Sequence, residues 1–168
     1  MSQIEQALQC YEKALDIKSE DSESLLYKAL CLEGLQQFDL AIAAYQKTLQ
    51  ISPRKILALL NYGRLLTNLD KNEEALEFFN EALKIKPDSC TVLFWRAIIL
   101  DELNRLDDAL ESINFALKIS VNNAFCWSYK GRILGKLHEK NKAVFCFNKA
   151  LDIAPGFEIA IKEKKNFY

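Results

Sequence analysis

Five alanines recur along the chain at a constant spacing of 34 residues, at Ala7, Ala41, Ala75, Ala109 and Ala143. Leucine and isoleucine columns keep the same spacing. They are Leu15, Leu49, Leu83, Leu117 and Leu151, and Ile17, Ile51, Ile85, Ile119 and Ile153. A fixed period of this length is typical of stacked supersecondary units, each of which buries its apolar face only against its neighbours. The chain is therefore expected to form a repeat array with an extended surface rather than one closed pocket.

The unit spanning 90–123 shows what each repeat contains. Apolar residues at three- and four-residue steps form two stripes, which predict two amphipathic helices. The stripes are Leu93, Ala97, Leu100 and Leu103, then Ala109, Ile113, Ala116 and Leu117. Turn-compatible residues separate them at 104–107. Each repeat is thus predicted to be an all-α pair, a first helix and a second helix. Small residues on the first helices predict close helix approach, at Ala29, Gly63, Ala97 and Gly131.

These columns resemble the tetratricopeptide repeat family, whose repeat closes with alanine, an aromatic residue, alanine and proline. Three units match that ending: Ala41, Tyr45, Thr48 and Pro53; Ala75, Phe79, Ala82 and Pro87; Ala143, Phe147, Ala150 and Pro155. Trp127 and Gly131 match the opening of the last full repeat, while Thr48, Ile113 and Val121 depart from the pattern. The resemblance implies a right-handed α-solenoid of antiparallel helix pairs, in which the first helices build a concave face.

The same register predicts a single domain over 1–168 and sets the boundaries of its repeats. It gives a half repeat at 2–21 with a second helix only, full repeats at 22–55, 56–89, 90–123 and 124–157, and a C-terminal capping helix at 158–168. Nothing in the sequence covers Ile4, Leu8 and one side of Tyr11 on the half repeat. Three explanations stay open for that bare face: a longer array, self-association, or tolerated exposure. Lysines at 164 and 165 fall on core positions, which favours a polar cap there.

Composition excludes several classes of function. The net charge of −1 indicates no general attraction to nucleic acid or anionic lipid. No apolar run approaches the roughly 20 residues of a membrane span, and the start of the chain lacks a secretory signal. The odd number of cysteines and the absence of C-x-x-C spacing predict thiols that fill helix interfaces in a reducing, cytoplasmic setting. They are Cys10, Cys31, Cys90, Cys126 and Cys146.

No catalytic constellation stands out, so the chain is expected to be neither an enzyme nor a cofactor- or metal-binding protein. The single histidine, His138, falls in a predicted turn. There is no glycine-rich phosphate loop and no cluster with metal-ligand spacing. The carboxylate pairs Glu73-Glu74 and Asp107-Asp108 fall at the starts of second helices, where the helix dipole favours them.

The concave face that the resemblance implies is unusually apolar in this sequence. Transferred by register, the candidate groove residues are Tyr27, Leu57, Leu60, Asn61, Arg64, Phe94, Trp95, Ile98, Phe125, Tyr129 and Arg132. The same stripe contains Asp101, Ser128 and Lys136. A helix that is apolar on every side is normally covered on every side. The cover is either a partner's peptide segment or neighbouring side chains of the groove itself.

We therefore expect a non-catalytic protein-interaction module that binds a short apolar or aromatic peptide segment. The arginines would pair with its carboxylates or carbonyls, and Asn61 with its amides. A family subset grips chaperone peptides by their terminal carboxylate with Lys, Asn, Asn, Lys and Arg. The first register places Leu26, Leu30, Asn61, Thr91 and Trp95 there, and one match in five does not predict that clamp. The alternative is a self-associating structural or scaffold protein that uses the bare N-terminal face.

Overall fold

The computed structural model describes residues 2–166, and all regular secondary structure among them is helical. Ten helices follow one another: α1 Gln3–Ile17, α2 Ser22–Gly34, α3 Phe38–Ile51, α4 Ile56–Asn68, α5 Asn72–Ile85, α6 Cys90–Glu102, α7 Leu106–Ile119, α8 Ala124–Lys136, α9 Lys140–Ile153 and α10 Glu158–Lys165. They alternate between second and first helices, beginning with the second helix α1 and ending with the first helix α10. The predicted all-α solenoid of helix pairs is confirmed.

Side-chain caps fix the start of three helices. Ser2 and Glu5 form a capping box at α1, in which the Ser2 hydroxyl accepts from the Glu5 amide and the Glu5 carboxylate accepts from the Ser2 amide. Asp21 caps α2 by accepting from the Ser24 amide at 2.9 Å. Asn123, three repeats further on, caps α8 in the same way by accepting from the Cys126 amide at 3.1 Å. These bonds satisfy amides that have no partner inside the helix.

The turn inside each full repeat contains one residue in the left-handed backbone region. These residues are Gln36, Asp70, Asn104 and His138, with φ values of 59°, 58°, 57° and 62°. A backbone bond follows each of them, as in Gln37 N donating to Leu32 O at 2.9 Å, which satisfies a terminal carbonyl. The turn is shorter than the predicted 104–107, because α7 already begins at Leu106. His138 is exposed there, as the sequence predicts.

The chain divides into two compact units, Met1–Ile85 and Lys86–Tyr168, called unit 1 and unit 2 below. Unit 1 contains α1 to α5 and unit 2 contains α6 to α10. In unit 1, a Cβ atom added to Gly63 would lie 2.8 Å from Phe79 Cε1; in unit 2, one added to Gly131 would lie 2.7 Å from Phe147 Cε1. Both rings are fully buried. The prediction that small residues mark close helix approach is confirmed at these positions.

The cysteines differ in burial, and all five are free thiols. Cys126 and Cys146 are buried in unit 2, where burial raises the pKa of Cys146 to about 11. Burial, with a contribution from Cys90, raises the pKa of Cys126 to about 12. Cys10 is exposed on α1. The predicted role in a helix interface is therefore wrong for Cys10, whose side chain is exposed.

The two terminal helices differ in how they are covered. Ile4 of α1 remains 41 % exposed, and Tyr11 stacks on Tyr27 of α2 with ring centroids 5.5 Å apart. The helix α10 buries Ala160 against unit 2 and ends at Lys165, inside the predicted capping segment. Residues 167 and 168 of that segment lie outside the described residues.

Candidate functional site

In unit 2, three successive first helices surround a small open cavity, which we call the first-helix cleft. Its volume is about 120 Å³. Its walls come from α6, α8, α10 and the residue before α10: Phe94, Phe125, Ser128, Tyr129, Arg132, Phe157, Ile159 and Glu163. Because first helices lie side by side in a repeat array, residues of equal register converge here although they are 34 positions apart.

Aromatic residues make up half of the lining of the cleft. The Phe94 ring lies edge-on to Tyr129 at 5.5 Å between centroids, and the Phe125 ring lies edge-on to Phe157 at 4.8 Å. This is the arrangement that ring quadrupoles favour. Phe125 nevertheless remains 58 % exposed, so a large apolar ring faces solvent at the mouth of the cleft.

A polar network closes the cleft on one side and joins α6 to α8. The Asp101 carboxylate has no exposed surface and accepts three hydrogen bonds from α8. The donors are the Tyr129 hydroxyl at 2.9 Å, Arg132 Nη2 at 3.1 Å and Lys136 Nζ at 2.6 Å. A buried carboxylate is tolerated when cations and hydrogen bonds compensate its lost hydration. Asp101 therefore fixes the spacing and orientation of α8 relative to α6.

Tyr129 and Arg132 hold each other in place within this network. The Arg132 guanidinium lies over the Tyr129 ring, 4.2 Å from its centroid, and donates from Nη2 to the Tyr129 hydroxyl at 2.6 Å. Burial raises the pKa of Tyr129 well above its usual range, and Asp101 adds to that rise while Arg132 opposes it. The phenol thus stays protonated and donates to Asp101. Within the described structure, Arg132 Nε is buried and has no hydrogen-bond partner.

The predicted polar residues of unit 1 are arranged differently. Asn61 donates from Nδ2 to the Leu57 carbonyl oxygen at 2.9 Å, and its Oδ1 accepts from Arg64 Nη1 at 2.9 Å. All three residues lie on α4, and Asn61 is buried. Leu57 is 43 % exposed and Leu60 is half-buried. This surface is apolar at Leu57 and Leu60, and the hydrogen bonds of Asn61 run along one helix.

The structure brings four of the predicted groove residues together around one cavity: Phe94, Phe125, Tyr129 and Arg132. Trp95 and Ile98 do not line it, although the Trp95 ring lies 6.4 Å from the Phe94 ring. Tyr27 of unit 1 instead packs on Tyr11, beside a cavity of about 290 Å³ between α1 and α2. Four of the predicted groove residues therefore line the first-helix cleft, while Tyr27, Trp95 and Ile98 lie outside it.

Sequence reasoning assigned no role to Phe157, Ile159 and Glu163, which line the cleft from the predicted capping segment. It also gave no role to Asp101 and Lys136, although both lie on the predicted stripe. A signal was present for two of the α10 residues. Ile159 is one repeat after Phe125, and Glu163 is one repeat after Tyr129. The lysines at 162, 164 and 165 favoured a polar cap instead.

Among residues 2–166, no group of three or more His, Cys, Asp or Glu side chains is placed to hold a metal ion. Within the same range, no helix combines the length and hydropathy that a membrane crossing requires. Of the polar residues that line the cleft, Tyr129 and Arg132 are hydrogen-bonded to each other and to Asp101.

Comparison with protein-family models gives matches over most of the chain. A model described as tetratricopeptide repeat matches residues 20–88, and a second model of that description matches residues 1–21 and 127–157. Together these segments cover well over half of the sequence. No curated protein sequence matches the chain.

Solved structures of similar fold include YrrB, described as a TPR protein with an unusual peptide-binding site. It shares 22 % identity over 96 % of this chain and 84 % of that chain, with a TM-score of 0.82. MamA from Desulfovibrio magneticus shares 17 % identity over 92 % of this chain and 87 % of that chain, with a TM-score of 0.85. A repeat protein from Parabacteroides merdae shares 17 % identity over 98 % of this chain and 66 % of that chain, with a TM-score of 0.89. Identities this low establish the fold alone.

Proposed function

Because the chain belongs to the tetratricopeptide repeat family, whose fold supports protein–protein interaction, we propose that the first-helix cleft of unit 2 binds a short peptide segment with an apolar or aromatic side chain. The observation that carries the proposal is the exposed Phe125 ring at a cavity that three further aromatic rings help to line, those of Phe94, Tyr129 and Phe157. Large aromatic residues at a solvent-facing opening are typical anchors of protein interfaces.

The size of the cleft limits what it can hold. A cavity of about 120 Å³ is close to the roughly 150 Å³ that accommodates a benzene ring in an apolar protein interior. One phenyl, leucine or isoleucine side chain therefore matches it. Burying such a side chain contributes about 1.5–3 kcal/mol. With one or two further contacts outside the cavity, and after ordering costs, we expect affinities around micromolar.

The polar groups at the rim match the main chain of a bound segment. Arg132 and Glu163 line the cleft from α8 and α10, and no ion pair joins them among the described side chains. A guanidinium can donate to a peptide carbonyl, and a carboxylate can accept from a peptide N–H. We propose that these two residues hold the backbone on either side of the anchor side chain. Ser128 adds a small hydroxyl to the same wall.

Unit 1 would offer a separate apolar surface to a peptide segment. The proposed contacts are Leu57 and Leu60, with Arg64 as a hydrogen-bond donor. The other predicted groove residues stay predictions: Tyr27, Asn61, Trp95 and Ile98. Asn61 donates one amide hydrogen to the Leu57 carbonyl oxygen. We propose that it donates the other to the bound segment. We further propose that the chain acts as a non-catalytic adaptor or scaffold in the cytoplasm, with the repeats forming one domain.

A matched pair of exposed phenylalanines tests the cleft. Peptides are first selected from a random display library on the intact chain, and the best binder is then titrated by fluorescence anisotropy. Phe125→Ala should weaken binding about tenfold, equivalent to roughly 1.4 kcal/mol. Phe145→Ala is the control, because Phe145 is 55 % exposed on α9 and does not line the cleft. Equal effects of the two variants, with helix content unchanged, would contradict the proposal.

One observation favours the alternative of self-association. Ile4 is 41 % exposed, and it lines the cavity of about 290 Å³ between α1 and α2 together with Tyr11 and Tyr27. A second copy could cover that face. Sedimentation velocity of the intact chain over a range of concentrations, repeated with Ile4→Glu, tests this. A concentration-dependent dimer that the variant loses would support it, and a monomer at every concentration would exclude it.

A further inference from the structure

A second opening, distinct from the first-helix cleft, lies in unit 1 between the second helices α1 and α3. We call it the second-helix cleft. Its volume is about 660 Å³, and its floor is α2, through Leu25, Lys28 and Leu32. Leu8 and Leu15 of α1 form one wall, and the segment from Leu40 to Lys47 of α3 forms the other. This volume exceeds that of the first-helix cleft several-fold, so it can take several side chains at once.

The cleft exists because α3 departs from its sibling helices. Leu40 stands where the other full repeats have charged residues, and Ala43-Ala44 stands where they have larger or charged pairs. The equivalents of Leu40 are Glu74, Asp108 and Lys142; those of Ala43-Ala44 are Glu77-Phe78, Glu111-Ser112 and Phe145-Cys146. In the next repeat the Phe78 ring packs on Tyr62, with centroids 4.5 Å apart, and fills the corresponding space. Two alanines leave it open in α3.

The second-helix cleft has an apolar residue, Leu40, at a position where the other full repeats have charged ones. Leu40 is 58 % exposed, and Leu8 and Leu15 opposite it are only half-buried. In the isolated chain, the exposed leucine and small alanines of α3 add no stability over the charged residues of the sibling helices. Exposed apolar surface of this kind, bordered by charged residues, is characteristic of interaction sites.

Charges on the two walls differ in sign. Lys28 on the floor pairs with Glu12 of α1 at 3.0 Å, so these two charges compensate each other. Asp16 of α1 and Lys47 of α3 remain, and neither takes part in an ion pair among the described side chains. Both stand near the C-terminal ends of their helices. An occupant that matches the cleft therefore carries a basic residue on the α1 side and an acidic residue on the α3 side.

The walls are two helices that run in the same direction, so the groove between them is straight. From Leu8 to Asp16 the α1 wall covers eight residue steps, or roughly 12 Å at about 1.5 Å per residue. An α-helix lying in such a groove presents apolar residues at i, i+4 and i+7 or i+8 over about the same distance. An extended strand would place only every second side chain into the groove and leave its amides without partners.

We propose that the second-helix cleft of unit 1 binds an amphipathic helix of a partner protein, with a leucine-type stripe against Leu8, Leu15 and Leu40 and oppositely charged flanks facing Asp16 and Lys47. This site is independent of the first-helix cleft, because it lies in unit 1 and uses none of its residues. The chain would then have two binding surfaces of different chemistry, one for a single anchor side chain and one for a whole helix face.

The test uses a labelled synthetic helix with three leucines at i, i+4 and i+8, alanines elsewhere, and lysines and glutamates on opposite flanks of the stripe. Fluorescence anisotropy with the intact chain should show saturable binding. Leu40→Glu restores the charge that the sibling repeat carries at Glu74, and it should weaken binding about tenfold. Ile119→Glu, on an exposed apolar residue of α7 outside both clefts, should leave it unchanged.

A second synthetic helix with its lysine and glutamate flanks exchanged tests the charge assignment. It should bind several-fold more weakly at low salt, and the difference should shrink at high salt because screening weakens exposed charge pairs. Absence of saturable binding, equal binding to the Leu40→Glu variant, or equal affinity of the two synthetic helices at low salt would overturn the proposal. A concentration-dependent dimer that Leu40→Glu abolishes would also overturn it, by making the occupant a second copy of the chain.

Discussion

The first helices of the two units form the hydrogen bonds of their polar side chains in different ways. In unit 1, Asn61 accepts from Arg64 and donates to the Leu57 carbonyl oxygen, and all three residues belong to one helix, α4. In unit 2, Asp101 of α6 instead receives donors from α8, including Tyr129 and Arg132. The difference shows that one repeat register can place polar side chains either on hydrogen bonds within one helix or on a buried charge that joins two helices. The joined pair also contributes aromatic rings to the first-helix cleft.

Removal of the Asp101 carboxylate should have the largest effect on stability. Asp101→Ala leaves three donors without their acceptor, and breaking a buried ionic network typically costs about 3–5 kcal/mol. We expect about 3 kcal/mol, since Arg132 and Lys136 are 37 % and 46 % exposed and can regain water. Asn61→Ala in unit 1 removes neutral and local bonds and should cost only about 1 kcal/mol. Urea unfolding of both variants measures the contrast, and equal losses would contradict it.

Overpacking the close helix contact should come next, and here the two units should behave alike. Gly131→Ala places a Cβ atom 2.7 Å from Phe147 Cε1, and Gly63→Ala places one 2.8 Å from Phe79 Cε1. Each should lose about 1–3 kcal/mol of unfolding free energy, because a buried ring cannot move aside without strain. Gly34→Ala is the control, because its Cβ would lie at an ordinary 3.4 Å from Ile4 Cδ1. Thermal unfolding that ranks the control with the other two would refute this account.

A smaller effect, of opposite sign, is expected in the left-handed turn positions. Gln36→Gly in unit 1 should raise stability by about 1 kcal/mol, since a side chain at φ 59° is strained. Asn104→Gly in unit 2, at φ 57°, should gain less, because asparagine tolerates this region. Chemical unfolding of the two variants side by side gives the comparison. A loss of stability in Gln36→Gly would show that the turn backbone is not held in this conformation.

The smallest difference concerns the helix caps at equivalent positions, Asp21 in unit 1 and Asn123 in unit 2. Hydrogen bonds from Ser24 and then Lys18 lower the pKa of Asp21 to about 2 from its ordinary 3.8. A lowered folded-state pKa means that this cap stabilises fully above pH 4 and that its contribution is lost as the pH falls through about 2.

The stability gap between the wild type and Asp21→Ala should therefore be constant near neutral pH and close in acid. Asn123→Ala should show a gap without that pH dependence, because an amide does not titrate. Unfolding curves recorded from pH 7 downward test both variants. A gap for Asp21→Ala that persists unchanged through acid would remove the carboxylate from the cap.

The sequence predicted the helix pairs, and its alanine column coincides with buried positions at Ala41, Ala75, Ala109 and Ala143. The isoleucine column does not, because Ile17, Ile119 and Ile153 are exposed. It predicted Phe125, Tyr129 and Arg132 as groove residues because the register placed them on one stripe of α8. It could not predict the Asp101 network, because that depends on the distance and rotation between α6 and α8. The turn conformation at Gln36 was equally hidden, since glutamine does not favour the left-handed region, whereas asparagine, aspartate and histidine at the equivalent positions do.

Amide chemical-shift mapping of the isotope-labelled chain with the selected peptide tests the central claim most directly. The account predicts that the largest perturbations cluster on α8 and α10 around Phe125, Phe157 and Ile159 and that Asp101→Asn reduces them. Perturbations confined to second helices, or spread evenly over both units, would contradict a peptide site in the first-helix cleft.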